Sequence, residues 1–181
     1  MVYVFLADGF EEIEALTPVD LLRRAGVEAS TVSIYPDRKN VRGAHGIEVV
    51  ADDTIDAADC DKEDIVVLPG GMPGTVNLLE CPRLMDIVDA HNSKGGRIAA
   101  ICAAPARILG SKGLLNGKEA TCYPGLEELM TGATPVTQTV VTDGNITTSR
   151  GLGTAVDFAC ELITLVLEKV KADEIRKSVV A

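Results

Sequence analysis

Cys102 lies in the run Gly96-Arg-Ile-Ala-Ala-Ile-Cys-Ala-Ala-Pro-Ala106, where an apolar strand passes into a helix with almost no loop. The residues beside it are alanines, and small side chains are what a tight turn requires. Pro105 suits the first helical turn, where its missing N–H costs nothing. The layout has the form of a nucleophile elbow, with alanines where G-x-S-x-G has glycines. A thiol at a helix N-terminus meets unpaired N–H groups and the positive end of the dipole, which favour the nucleophilic thiolate. The N–H groups of the turn, Ala103 included, and those of Gly70 and Gly71 are expected to receive a developing oxyanion. The chemistry open to such a group is addition to a carbonyl carbon, or oxidation of the sulfur.

A carboxyl group offers itself as partner. Asp8-Gly-Phe-Glu11 reads as a capping box for the first helix, and Glu12 reads as solvated. Glu14 lies about one turn in, and Pro18 follows four residues later. A proline clashes with the carbonyl four residues before it. The helix is therefore expected to be irregular at Glu14, turning its carboxyl group toward the sheet edge that carries Cys102.

The other thiols carry weaker signals. The chain has five cysteines, at 60, 81, 102, 122 and 160, with no C-x-x-C pair and only two histidines, His45 and His91. No zinc spacing emerges, and the usage suits a reducing cytoplasm. A free cysteine is by default a small buried hydrophobe. Cys102 stands apart from the rest by its place between strand and helix. Carbonyl addition by such a thiol with a carboxyl partner needs no cofactor or metal.

These residues need a scaffold. The 181 residues fit one domain with a sizeable core, and 46% of them are hydrophobic, with few aromatics. A net charge of −10 without a basic cluster argues against nucleic acid or an anionic membrane as partner. No run approaches a membrane span of roughly 18 apolar residues. The apolar start is too short for a signal peptide and reads as a first strand, residues 2–7.

A helix follows over 11–25, stopped by Gly26, then a strand over 29–35, a polar stretch and a short strand near 47–51. Residues 64–68 form a buried strand ending in Pro69-Gly-Gly71. Residues 75–92 are largely helical, interrupted near Cys81-Pro82. Strand 97–101 leads to a helix from about Ala104, and 119–122 reads as a strand. Residues 140–148 form a hairpin around Asp143-Gly144, and 153–171 a long closing helix. Continuous apolar strands alternating with helices predict an α/β fold, a mostly parallel sheet covered on both faces. Such sheets bind ligands beyond the carboxyl ends of their strands. That selects residues 7–14, Pro69-Gly70-Gly71, Ile101-Cys102-Ala103 and the region after Cys122.

At these residues the sequence resembles the ThiJ/PfpI superfamily, in the branch of the Parkinson-disease-associated protein deglycase. The resemblance rests on Ala7-Asp-Gly-Phe-Glu-Glu-Ile-Glu-Ala15, Pro18-Val-Asp-Leu-Leu-Arg-Arg-Ala-Gly26, Val66-Val-Leu-Pro-Gly-Gly71, Ala99-Ala-Ile-Cys-Ala-Ala-Pro105 and Thr148-Ser-Arg-Gly-Leu-Gly-Thr154. It spans nearly the whole chain as one ThiJ/PfpI-like (class I glutamine amidotransferase-like) domain, residues 1–181.

The resemblance implies a flavodoxin-like sandwich that forms a homodimer. Cys102 matches the oxidation-sensitive nucleophile, and Glu14 the protonated glutamate that hydrogen-bonds its thiolate or sulfinate. Gly70 and Gly71 match the oxyanion-side backbone. Arg150 matches an arginine at the pocket mouth, and His45 falls roughly where relatives carry another. Many relatives place a histidine beside the cysteine; here Tyr123 stands in that position. A tyrosine, with a reference pKa of about 10, is no general base near neutral pH, which argues against a Cys-His dyad and protease activity. Cys122, its neighbour, is a candidate pocket thiol, and His91 reads as a surface residue.

Two functions share these residues. One is a cofactor-independent glyoxalase or deglycase acting on methylglyoxal, a related dicarbonyl or glycated adducts. The other is an oxidative-stress sensor or redox-regulated chaperone working through oxidation of Cys102. A thiamine-biosynthetic role, attached to some relatives by name, finds no support in these residues.

Overall fold

The computed structural model describes residues 1–59 and 65–181. Cys60, and Asp64 at the expected start of a core strand, lie outside them. The elements in chain order are β1 (Val2–Leu6), α1 (Glu12–Arg24), β2 (Ala29–Ser33), β3 (Asn40–Arg42), β4 (Glu48–Val50), β5 (Asp53–Thr54), β6 (Ile65–Leu68), α2 (Gly74–Leu79), α3 (Pro82–Ser93) and β7 (Arg97–Ile101). A π-helix (Pro105–Gly110), β8 (Glu119–Ala120), a 3-10 turn (Glu127–Leu129), β9 (Thr134–Pro135), β10 (Val140–Asp143) and β11 (Ile146–Ser149) follow. A second 3-10 turn (Leu152–Thr154), α4 (Ala155–Val166) and α5 (Lys169–Ser178) close the chain.

The seven-stranded sheet runs β10-β11-β7-β6-β1-β2-β5 and is parallel except for the β10–β11 hairpin. All residues of β1 and β6 are buried, because helices cover both faces. Alternate side chains feed two cores. Val2, Val4 and Leu6 join Leu22 of α1 and Phe158 of α4 on one face. Tyr3 and Phe5 join Leu84 and Val88 of α3 and Ile108 on the other. Each such fully buried aliphatic or aromatic side chain contributes about 1.5–3 kcal/mol of transfer free energy. The α/β architecture expected from alternating strands and helices is thus the one observed. The chain goes from β1 outward to β2 on one side and from β6 to β7 on the other. The order therefore reverses between β1 and β6, and sheets of this kind bind ligands beyond the carboxyl ends of the strands at such a switch point.

Several local expectations change. The closing helix is two helices, broken where Glu168 is extended (φ −154, ψ 157). α4 buries a long apolar face, whereas α5 buries only Ala172 and Ile175 and folds back on α4 to do so. A straight helix would carry those two residues away from the core. The helix after Cys102 is a six-residue π-helix, so the sulfur sits over one short, wide turn and not at the end of a long dipole. The strand expected over 119–122 is only Glu119–Ala120, paired with Thr134–Pro135 outside the main sheet. The polar stretch before residue 47 contains β3, in which Val41 alone is buried. α1 runs through Pro18 without a break. Among the described residues no helix is long and apolar enough to cross a membrane.

Candidate active site

Cys102 has φ 66, and Val180 is the one other described non-glycine residue with positive φ. A left-handed conformation costs a side-chain-bearing residue about 1–3 kcal/mol and persists only where its surroundings impose it. Here both peptide groups of Cys102 are tied down. Its N–H donates to Ser149 O at 3.0 Å, and its carbonyl accepts from Tyr123 N at 2.8 Å. The neighbours Ala103 and Ala104 are buried, which leaves the turn no room for larger side chains. The strained turn lifts the thiol, half-buried, over the end of β7.

Glu14 reaches the same place from α1. The N-cap is Glu11, not Asp8: the Glu11 carboxylate accepts from Glu14 N at 2.7 Å. Asp8 instead receives Arg38 Nη2 at 2.6 Å and Arg42 N at 2.9 Å, and so pins the following loop. Glu14 therefore occupies the first helical turn, facing the sheet, and is 1% exposed. That position, and not a Pro18-induced irregularity, delivers its carboxyl group. Its Oε2 accepts from Gly70 N at 3.0 Å, Leu152 N–H donates to the same carboxyl group, and Cys102 completes its partners.

Gly70 makes the approach possible. A Cβ there would lie 2.5 Å from Glu14 Oε2 and 2.6 Å from Cys102 Cβ. Gly71, at φ +94, could carry no Cβ either, since it would sit 2.3 Å from Glu11 N. The N–H groups of Gly71 and Ala103 hydrogen-bond the Cys102 sulfur. Gly70 departs from the expected oxyanion role: its N–H is already held by Glu14.

Burial pushes the Glu14 carboxyl group up to about 7, with the nearby Glu11 carboxylate adding to the shift. Burial likewise pushes the Cys102 thiol up to about 12, and the Glu14 charge and hydrogen bond act in the same direction. The N–H groups of Ala103 and Gly71 oppose that rise. Two adjacent buried acids cannot both ionise, so the pair holds one shared proton through the neutral range. When Glu14 carries it, the carboxylic acid donates to the sulfur and the repulsion against a thiolate vanishes. The thiolate thus depends on protonated Glu14, more than on the helix terminus expected to stabilise it.

Other expected residues are placed as follows. Tyr123 is 52% exposed, and its ring edge lies 3.6 Å from where a Gly151 side chain would begin. Arg150 is half-buried and makes no ion pair or side-chain hydrogen bond among the described residues. Cys122 is 3% exposed and packs in the second core with Ala120 and Met130, not against Cys102; burial pushes its thiol up to about 11. Glu12, expected in solvent, is buried and accepts His45 N and Nδ1, both at 2.8 Å. Burial works against its ionisation, but these His45 bonds hold it below the usual carboxylate range. His91, expected at the surface, is buried with its ring against Gly96 and Nε2 at 3.1 Å from Arg97 O, because a Cβ-free residue leaves space for the imidazole. Glu11, Glu12 and His45 bring ligand-type atoms within 4.8 Å of one another, yet these groups already satisfy Glu14 N and each other.

The segment after β11 supplies what sequence reasoning missed. Leu152 holds Glu14 through a backbone N–H, which has no side-chain signature, and a Cβ on Gly151 would lie 3.6 Å from Glu14 Oε1.

A strained cysteine on a strand-to-helix elbow, with a buried carboxyl group against it at the switch point of a flavodoxin-like sandwich, defines a class of cysteine-centred α/β proteins. Residues 1–165 match the DJ-1/PfpI family, and the chain belongs to it. The chain is 42% identical over 176 residues to Protein DJ-1 homolog A of Arabidopsis thaliana, across 96% of this chain and 45% of that protein. It thus spans under half the length of that relative. It is 37% identical over 147 residues to Deglycase PH1704 of Pyrococcus horikoshii, across 80% of this chain and 86% of that protein. The solved structure of oxidized Toxoplasma gondii DJ-1 superposes with a TM-score of 0.94 at 36% identity, covering 99% of this chain and 97% of that one.

Proposed function

We propose that this chain is a cysteine-dependent glyoxalase or deglycase-type hydrolase acting on methylglyoxal or its adducts. The contact between Glu14 and Cys102 carries the reading, because it unites a nucleophile with a carboxyl group whose pKa is about 7. The deglycase name of one relative is consistent with it. Cys102 thiolate adds to the aldehyde carbon, and the N–H groups of Gly71 and Ala103 face the oxygen that becomes negative. Glu14 supplies that oxygen with a proton. As carboxylate it then removes the proton from the former aldehyde carbon, giving an enediolate, and returns it to the neighbouring carbon while the hydroxyl proton passes from the first oxygen to the second. The resulting thioester is cleaved by water to a 2-hydroxy acid, and the thiol is restored. The sum is dicarbonyl plus water to hydroxy acid, with no net redox change. Methylglyoxal consumption with and without glutathione, on wild type and Cys102→Ser, tests the reading; equal turnover without the thiol sinks it.

A second reading, an oxidative-stress sensor or redox-regulated chaperone, is favoured by accessibility. Cys102 is partly exposed, as is Cys81, while Cys122 and Cys160 are buried, and of the two only Cys102 stands on a strained turn beside a carboxyl group. Peroxide would transfer one oxygen atom per step to the sulfur, giving sulfenic then sulfinic acid and releasing water each time. Protonated Glu14 would donate to the product. The exposed apolar side chains of Ile13, Ile47 and Val50 fit assembly as a homodimer, which sedimentation tests.

A further inference from the structure

We infer that Thr154, working with Ser149, is the positioning residue that aims the Leu152 N–H at Glu14 and ties that loop to the elbow. Thr154 Oγ1 accepts from Gly151 N at 3.1 Å and donates to Gly151 O at 2.8 Å. Its backbone N–H also donates to Gly151 O, at 2.8 Å. Both peptide groups flanking Gly151 are therefore fixed by one threonine, and the next N–H in the chain is the one on Glu14. Thr154 Oγ1 also lies 2.7 Å from Ser149 Oγ, which donates to Thr139 O at 2.8 Å. Ser149 is fully buried, and its carbonyl is the acceptor for Cys102 N. One residue thus faces both halves of the site: its backbone holds the nucleophile's turn and its side chain holds the carboxyl group's loop.

The proton count shows why the hydroxyl, and not bulk, matters. Two hydroxyl protons serve three contacts: Ser149 to Thr139 O, Ser149 to Thr154, and Thr154 to Gly151 O. In either arrangement Thr154 Oγ1 still accepts the Gly151 N–H, so the loop stays aimed. A valine of the same shape accepts nothing. Gly151 N–H would then seek another partner, and Leu152 N–H would drift from Glu14. That donor favours the ionised carboxyl group. Losing it keeps the proton on Glu14 to higher pH.

This inference rests on the proposed pairing of Cys102 and Glu14, and its test has a readout that needs no substrate. The alkylation rate of Cys102 by iodoacetamide is followed against pH by peptide mass, which separates it from the partly exposed Cys81. The midpoint of that curve reports loss of the pair's first proton. Thr154→Val moves the midpoint upward and lowers methylglyoxal kcat/KM about tenfold, the worth of one charge-assisted hydrogen bond. Thr154→Ser restores both. Thr154→Ala, which leaves no bulk to misfit, carries the same prediction if the valine variant folds poorly. The inference is overturned if Thr154→Val and Thr154→Ala leave the midpoint in place, or if Thr154→Ser fails to restore it. If wild type shows no dicarbonyl turnover, the enzymatic reading fails while the alkylation curve still decides this one.

Discussion

Glu14, in the first turn of α1, hydrogen-bonds Cys102, on the elbow after β7, across the bare backbone of Gly70. The two groups titrate as a coupled pair, so a change to either is expected to alter reactivity, oxidation and stability together.

Glu14→Gln keeps the shape and removes the proton carrier. Turnover is expected to fall about 10²–10⁴-fold, the usual worth of a general acid–base group. The extent of Cys102 oxidation by peroxide, read by intact mass, should change as well; an unchanged product distribution would show that the carboxyl group does not touch the sulfur. Stability has a definite sign. Glu14 sits at about 7 in the fold against 4.5 ordinarily, so its ionised form is disfavoured. Wild type therefore loses stability as pH rises from the ordinary value through about 7. The glutamine variant lacks this slope and should gain on the order of 1–3 kcal/mol over wild type above that range, measured by urea unfolding at low and high pH.

Gly70→Ala tests the close approach. The added Cβ has backbone-attached Cys102 Cβ at 2.6 Å and cannot be accommodated by a side-chain swing alone. Overpacking of this kind costs about 1–3 kcal/mol. Turnover should drop far more than stability does, because the carboxyl group and sulfur are wedged apart. A fully active variant would contradict the geometry.

The His45–Glu12 ion pair should act as a pH-dependent latch on the loop beside α1. The Glu12 hydrogen bond raises the His45 pKa. Its contribution is fully present below the unfolded histidine value of about 6.5 and is lost as pH rises through the raised folded value. Glu12 is held low, so its own contribution is lost only in acid. Thermal midpoints of wild type and His45→Ala should differ most in the mildly acidic range and converge on the alkaline side. A gap that widens with rising pH would reverse the assignment.

Tyr123→His places an imidazole where the tyrosine ring now borders Gly151. Histidine titrates near neutrality, whereas tyrosine does so at about 10. Cys102 alkylation at neutral pH should speed up several-fold, because the ring offers the shared proton another site. No change in rate would show that the pair is insulated from this position.

Strand and helix order was readable because periodicity reflects burial: β1 and β6 are apolar throughout since both their faces are covered. Cys102 was readable too, since an alanine-lined strand-to-helix junction is a local property of consecutive residues. Glu14 drew attention by spacing but was placed by the wrong device. The Glu11 cap and first-turn position deliver it, and α1 tolerates Pro18. Glu12 and His91 were misread as solvated for a common reason. Each is covered by a segment distant in sequence or by space that a glycine leaves, which no helical pattern records. The break at Glu168 depends on where α5 finds apolar surface on α4. Sequence by itself determined the sheet, its helices and the place of Cys102 between strand and helix. Only the tertiary structure decided the proton: it brings a third segment, Ser149 to Thr154, over two buried acids, and backbone N–H groups that every residue possesses acquire a role solely from where the fold points them.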